Sequence, residues 1–255
     1  MELDTIYNED CLEGMKRIPD GSVDCIICDL PYGTTACKWD SVIPFEPLWE
    51  QYKRVTKPNA AIVLFGSEPF SSYLRLSNLD MYKYDWIWDK VRPVGQLNAK
   101  KQPMRQHETI SVFYRKQPTY NPQMHPYRQP AKFNKQEKGS VKDSDCYGKQ
   151  YDFESHIMPD DLSYPRSIIT ERTVLNNSKD KVAHPTQKPV DLIAYLIRTY
   201  SNPGDTILDN TIGSGTTAVA ALREKRHFIG FELNRDYYDI ALRRIKLEQQ
   251  QQTLF

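Results

Sequence analysis

Short runs rich in β-branched and aromatic residues recur along the chain, each closed by polar or turn residues: Val23–Cys28, Ala60–Gly66, Tyr84–Trp88, Thr109–Tyr114, Thr206–Asp209 and Phe228–Glu232. Runs of this length and boundary chemistry read as strands. Between them the apolar period becomes helical. Leu192, Ile193, Leu196, Ile197 and Tyr200 form one stripe after Pro189, a residue suited to a first helical turn. Tyr238, Ala241, Leu242 and Ile245 form a second, with Asn234 placed as its N-cap. A third helical stretch, Val219–Arg226, separates the last two strands. Strand and helix alternating in this order predict an α/β fold, doubly wound around a largely parallel sheet.

One interval breaks the pattern. Residues 98–150 hold 11 Lys and Arg against 4 Asp and Glu, a net of +7, so the rest of a chain with formal net charge +1 carries −6. Its stretch YRKQPTYNPQMHPYRQPAKFNKQEKGSVKDSDCYGKQ has neither period and mixes basic residues with Pro, Gln, Asn and Tyr. That is the composition of a surface insertion, although a stretch of this kind taken alone reads first as a solvated, partly mobile loop. The 255 residues suffice for one sizeable core. MELDTIYNED carries acids where a signal peptide needs basic and then apolar residues, and no apolar run nears the roughly 20 residues of a membrane span, so a soluble, cytoplasmic protein is expected. Five irregularly spaced cysteines form no disulfide framework. Cys25 and Cys28 fall on opposite faces of one strand and no second pair has ligand spacing, so they read as buried thiols, and no metal is expected.

Candidate chemistry concentrates at two strand ends. The strand Thr206–Asp209 runs into Asn210-Thr211-Ile212-Gly213-Ser214-Gly215-Thr216-Thr217-Ala218 and then a helix, and the next strand closes on Glu232, 17 residues beyond Gly215. A strand, a G-x-G-x-x-A turn, a helix and a distal acid form a site for a ribose-bearing cofactor, with NAD, FAD and S-adenosylmethionine all compatible. No Gly-Lys-Ser/Thr follows, which excludes a P-loop. Asp209 would repel a pyrophosphate but suits a ligand carrying an ammonium group. The second strand end is Cys28-Asp29-Leu30-Pro31-Tyr32-Gly33. Ligand crevices of parallel sheets lie at the carboxyl ends of the strands, which puts Asp29 and Tyr32 beside the glycine loop. Pro31 restrains Leu30 and so fixes the direction of the Leu30 carbonyl. An acid, a fixed carbonyl and a ring can hold a planar group bearing –NH2, such as an adenine flipped from its duplex; the same residues also suit an ordinary turn.

Together these segments resemble the amino-group DNA methyltransferase family. DLPY is similar to its D/N/S-P-P-Y/F motif, ILDNTIGSGTT and GFELN to its S-adenosylmethionine-binding motifs, and His184-Pro185-Thr186-Gln187-Lys188-Pro189 to its HPTQKP segment. YNEDCLEGMKRIPDGSVDCIICDLPY, WDK at Trp86–Lys90 (as DWIWDK) and HETISVFYRK also look like family elements, in the order that family calls β. The resemblance implies a Rossmann-like methyltransferase fold with an inserted target-recognition region. Residues 1–116 and 179–255 would be its catalytic and cofactor-binding halves, and residues 117–178 the insertion. Asp29 and the Leu30 carbonyl would bind the target amine, Pro31 would restrain them and Tyr32 would stack on the base. Glu232 would bind the cofactor ribose and Asp10 face its adenine; Asp209, Gly213, Gly215 and Thr216 would form the cofactor loop, with Thr186 and Lys188 near the methionine end. Lys100, Lys101, Arg105, Arg128, Lys132 and Lys135 are assigned to DNA contacts.

The implied activity is S-adenosylmethionine-dependent methylation of adenine N6 in double-stranded DNA, in a bacterial or phage-encoded type of protein. Cytosine-N4 methylation, a silent DNA-binding module and a nicotinamide-dependent oxidoreductase are the alternatives. A second copy of the chain and a cognate restriction enzyme are compatible further partners. Two departures stand out: Leu30 replaces the motif's first proline, and Asn210-Thr211 replaces the usual Pro-Phe beside the glycine loop.

Overall fold

Strands that are apolar at nearly every position must be covered on both faces, and helices provide that cover in parallel sheets. The computed structural model describes residues 1–34, 40–126, 162–174, 181–182 and 186–252. In chain order the elements are β1 (Thr5–Tyr7), α1 (Cys11–Met15), β2 (Val23–Cys28), α2 (Phe45–Val55), β3 (Thr56–Gly66), α3 (Phe70–Leu76), β4 (Tyr82–Val94), β5 (Arg105–Phe113), β6 (His125–Pro126), β7 (Leu162–Ser163), β8 (Ile168–Thr170), α4 (Val190–Tyr200), β9 (Thr206–Asp209), α5 (Thr216–Arg223), β10 (His227–Phe231) and α6 (Arg235–Gln252).

The chain divides into two units. Met1–Asn121 with Ser167–Phe255 carry an eight-stranded sheet of order β1-β10-β9-β2-β3-β5-β4-β8. Pro122–Arg166 form the other, whose described residues pair β6 with β7 and join Ser163 Oγ to His125 Nδ1 at 2.7 Å. Within the large sheet, β1 through β3 run parallel, as do β4 and β8. Strand β5 lies antiparallel between β3 and β4, because the connection after Val94 turns the chain straight back. Every strand expected from the apolar runs is present. The run at Tyr84 extends to Tyr82–Val94, while β1, β6, β7, β8, α1, α2 and α3 add to the expected set.

Alternation along the central strands sorts side chains into two cores. Cys25, Ile27, Ala61, Val63 and Phe65 pack under α4, α5 and the Ala241–Ile245 side of α6. Val23, Ile26, Cys28, Ile62 and Leu64 pack under Met15 of α1, Leu48 and Tyr52 of α2, and Phe70 and Leu74 of α3. Strands β2 and β9 are neighbours at the centre, yet the crossovers leaving them pass over opposite faces, α2 from β2 and α5 from β9. The strand order therefore reverses between Cys28 and Asp209, which is where open α/β sheets place a ligand. Among the described residues, no helix is long and apolar enough to cross a membrane.

Candidate active site

The turn after β2 is set by its own sequence. Leu30 is only 3 % exposed, its side chain taken into the α2–α3 core, so an aliphatic side chain stands in for a proline without opening a gap. Gly33 adopts φ +68°, and its amide and that of Thr34 donate to the Asp40 carboxylate at 2.8 and 2.9 Å. The turn is closed by this clamp.

Asp29 is the most heavily engaged residue of the turn. Its Oδ1 accepts from the Tyr32 hydroxyl at 2.6 Å, its Oδ2 from Lys188 Nζ at 2.5 Å, and its main-chain carbonyl from Thr211 Oγ1 at 2.9 Å. A carboxylate offers about four lone-pair sites, so each oxygen keeps capacity for a further donor. Burial pushes the Asp29 carboxyl above the usual carboxylate range, against the pull of the Lys188 ammonium. Burial also raises the Tyr32 phenol well above its ordinary value. The Tyr32 ring stacks on Phe70, centroids 5.0 Å apart at 27°.

The second strand end is built around the glycine loop. Gly213 N donates to Glu232 Oε2 at 2.9 Å and Asn234 N to Glu232 Oε1 at 2.7 Å, so the loop and the acid beyond β10 hold one another. Burial raises the Glu232 carboxyl and pushes Asp209 up to about 6, the latter opposed by hydrogen bonds that include the Thr211 amide. Gly215 has φ +79°, and a Cβ there would stand 2.9 Å from Ala241 Cβ. Its bareness therefore serves the packing of the α5 turn on α6 rather than ligand approach, and it does not line the cavity described below. Arg244 Nη1 of α6 braces the same loop, donating to Ser214 O, Ser214 Oγ and Thr216 Oγ1 at 2.8, 3.2 and 3.0 Å.

Asn210 and Thr211 stitch the two strand ends together. Asn210 is 1 % exposed and accepts from the Tyr52 hydroxyl at 2.5 Å. Thr211 Oγ1 bridges to the Asp29 carbonyl and lies 3.0 Å from Cys28 Sγ. These polar contacts account for the departure from Pro-Phe. Cys25 and Cys28 lie in the two opposite cores, and burial raises both thiols, as it raises Cys11 to about 11. Among the described residues, no group of three or more His, Cys, Asp or Glu side chains is arranged to hold a metal.

One cavity of about 770 Å³ joins these parts, with Asp29–Tyr32 and Lys188 in one region of its wall and Asp209, Gly213, Thr216 and Glu232 in another. Asp10 and Thr186 line it too. Asp10 Oδ1 caps α1 by accepting from Leu12 N and Glu13 N at 2.9 and 3.2 Å. Lys100, Lys101 and Arg105 do not line it; they are exposed on the connection after β4 and the start of β5, where Arg105 bonds Ser67 Oγ. Arg128, Lys132, Lys135 and His184 lie outside the described residues.

Four residues of the wall or its support were not singled out by role from sequence: Glu108, Lys90, Asp40 and Arg244. Lys90 and Glu108 fall within DWIWDK and HETISVFYRK, segments already similar to family elements, and Glu108 further stands ahead of the apolar run of its strand.

The sequence model of a family described as DNA methylase matches residues 23–243. The type II methyltransferase M.BglII of Bacillus subtilis is 33 % identical over 262 residues, covering 94 % of this chain and 68 % of that protein. A crystal structure of the M1.HpyAVI–SAM complex superimposes with a TM-score of 0.64 at 24 % identity, covering 94 % of this chain and 98 % of that one. The PvuII DNA methyltransferase, specific for cytosine N4, has a TM-score of 0.67 at 15 % identity over 94 % of this chain and 85 % of that one. At these identities the two structures establish the fold.

Proposed function

This chain belongs to the DNA methylase family, whose activity is methylation of amino groups at adenine N6 or cytosine N4, and from that premise we propose that it is a site-specific adenine-N6 methyltransferase acting on double-stranded DNA. The observation that carries the reading is the Thr211 Oγ1 to Asp29 carbonyl bond, which fixes the turn proposed to hold the amine against the glycine loop, whose Gly213 is held in turn by Glu232 beyond β10, in one cavity. Adenine is favoured by the aspartate, rather than serine, that opens DLPY.

S-adenosylmethionine fits the residues present. Glu232 is a partly desolvated carboxylate with lone pairs left for the two ribose hydroxyls, Asp209 is a buried acid suited to an ammonium, and Asp10 lines the same cavity. When bound, that cofactor supplies an electrophilic methyl group on a sulfonium. The chain's own work is on the base. An adenine amine is a poor nucleophile because its lone pair is delocalised into the ring. Asp29 and the Leu30 carbonyl accept its hydrogens from outside the ring plane, which draws the nitrogen toward tetrahedral geometry and frees the pair. Tyr32 offers a ring against which the extruded base stacks. No thiolate takes part.

Residues 1–116 and 179–255 are assigned to the two halves of the methyltransferase domain and residues 117–178 to target recognition, a division supported by the separate clustering of Pro122–Arg166. Lys100, Lys101 and Arg105 are assigned to phosphate contacts because they are exposed cations on a connection leading away from the cavity wall at Val94.

The test is incubation with methyl-labelled S-adenosylmethionine and unmethylated DNA, digestion to nucleosides and mass spectrometry. N6-methyladenine is expected; N4-methylcytosine alone would overturn the adenine assignment and leave Asp29's part intact.

Asp209 adds a pH signature. Burial pushes its carboxyl up to about 6, so above that pH it is charged and attracts the cofactor ammonium, and below it the attraction is lost. Cofactor affinity should fall below that point, by at most about tenfold per pH unit. Calorimetry from pH 5 to 8 checks this, with Asp209→Asn flattening the curve; a wild-type affinity independent of pH would contradict it.

A further inference from the structure

Behind Asp29 runs a row of charges of alternating sign drawn from four separate parts of the chain. Lys188 Nζ, just ahead of α4, lies 2.5 Å from Asp29 Oδ2 and 3.4 Å from Glu108 Oε2 of β5. Glu108 Oε1 in turn pairs with Lys90 Nζ of β4 at 3.0 Å. The Lys188 and Lys90 side chains are 9 % and 6 % exposed and Glu108 15 %, so water screens little of this row. Aromatic faces wall it in: the Lys188 ammonium lies 5.2, 5.9 and 6.0 Å from the centroids of Phe65, Tyr32 and Trp88. Buried ion pairs of this kind are weak stabilisers, since desolvation offsets most of their attraction. Their place in the wall of the reaction cavity suggests another use.

We propose that Lys188, anchored by Glu108, is a positioning residue for methyl transfer: its ammonium fixes the rotamer of Asp29 and keeps it a carboxylate, with Glu108 and Lys90 setting how firmly that ammonium is held. The inference rests on Asp29 being the acceptor of the target amine. A protonated Asp29 would present a donor in place of an acceptor and lose its hold on one amine hydrogen. Burial drives the residue toward that neutral form, and Lys188 is the cation that opposes it. A single carboxylate partner would leave the ammonium free to move together with Asp29, so that neither side chain fixed the other. The second carboxylate keeps it on the β5 side. Burial works against the Lys188 charge as well, but Asp29 and Glu108 outweigh it and hold Lys188 above its ordinary value. The charged and titratable groups facing Asp29 are Lys188, Glu108, Tyr32, Cys28 and Asp209.

The two partners act on Asp29 with opposite signs, and this separates the proposal from a structural role. Removing the Lys188 charge raises the pH at which Asp29 ionises; removing the Glu108 charge takes away a repelling carboxylate and lowers it. Two measurements on the full chain read this out. The first is a 13C NMR titration of Asp29 in protein labelled at aspartate Cγ, its signal assigned with Asp29→Asn; it needs no turnover. The second is single-turnover transfer of labelled methyl to DNA, counted whichever base receives it, across pH 5–9. In Lys188→Met both midpoints should move up by about one to three pH units, and transfer at pH 7 should fall by about tenfold or more. In the near-isosteric Glu108→Gln both should move down.

Midpoints unmoved, or moved in the same direction by both variants, overturn the proposal. So does a Lys188→Met protein whose only defect is weaker cofactor binding, which would place Lys188 at the methionine end of the cofactor instead. Absence of methyl transfer by the wild-type chain on any DNA sinks the functional reading and the catalytic half of the proposal with it; normal wild-type transfer with unmoved midpoints sinks the proposal alone.

Discussion

Asp29→Ala should lower the single-turnover rate of methyl transfer by about 10²-fold to 10³-fold while cofactor affinity stays within a few-fold. The size follows from what the side chain does. A preorganised acceptor in a water-poor site is worth about 3–4 kcal/mol at the transition state, because no solvent must reorganise when charge develops on the amine nitrogen. Alanine leaves the Leu30 carbonyl and the Tyr32 ring in place but removes one of the two acceptors. It also strips the Tyr32 hydroxyl of its 2.6 Å partner and leaves Lys188 with Glu108 as its remaining carboxylate. Some loss of stability is therefore expected, of about 1–3 kcal/mol for the unpaired hydroxyl. Rapid-quench kinetics at saturating cofactor separate that loss from catalysis, since the folded fraction is measured independently. Asp29→Asn, which keeps the shape but offers one acceptor oxygen and an unwanted donor, should be nearly as slow. A rate within tenfold of wild type for Asp29→Ala would mean that the amine is held elsewhere.

Gly215→Ala should destabilise the fold by about 2–5 kcal/mol. A non-glycine residue at φ +79° costs about 1–2 kcal/mol, and its methyl group would come within 2.9 Å of Ala241 Cβ and 3.1 Å of Ala241 Cα, an overpacked contact of about 1–3 kcal/mol. Backbone on α6 cannot yield as a long side chain does. The expected fall in Tm is about 4–20 °C, read by circular dichroism. Function should suffer beyond this, because displacing the α5 turn from α6 also moves the loop braced by Arg244, on which Gly213 and Glu232 hold one another. Cofactor affinity should drop even where the protein stays folded. A variant with unchanged Tm would show that the α5–α6 contact relaxes without cost.

Much of the candidate site was legible because its parts are local. Asp29, Pro31 and Tyr32 share one turn, and the strand, the glycine loop and Glu232 fall within 27 consecutive residues, Thr206–Glu232. Lys188 was legible as a candidate site residue, but its pairing with Asp29 was not. A Lys188–Asp29 contact spans 159 positions of chain, and no period or spacing carries information over that distance. Glu108 was hidden for a second reason: a lone acid beside an apolar run reads as a strand edge facing water, and only the pairing of β5 between β3 and β4 turns it inward. Gly215 shows the converse, a residue whose motif pointed to the ligand and whose backbone is used for helix packing.

Taken by itself, the sequence determined the alternation of strand and helix, the acids and glycines at the strand ends and the family, because local propensity, turn chemistry and short motifs are written within a few residues of one another. Tertiary structure alone decided that β5 runs against its neighbours, that Thr211 ties the turn after β2 to the glycine loop after β9, and that two lysines and two carboxylates share one poorly screened row. Those outcomes depend on which distant strands pair and on how little water reaches between them, and both are properties of the assembled sheet.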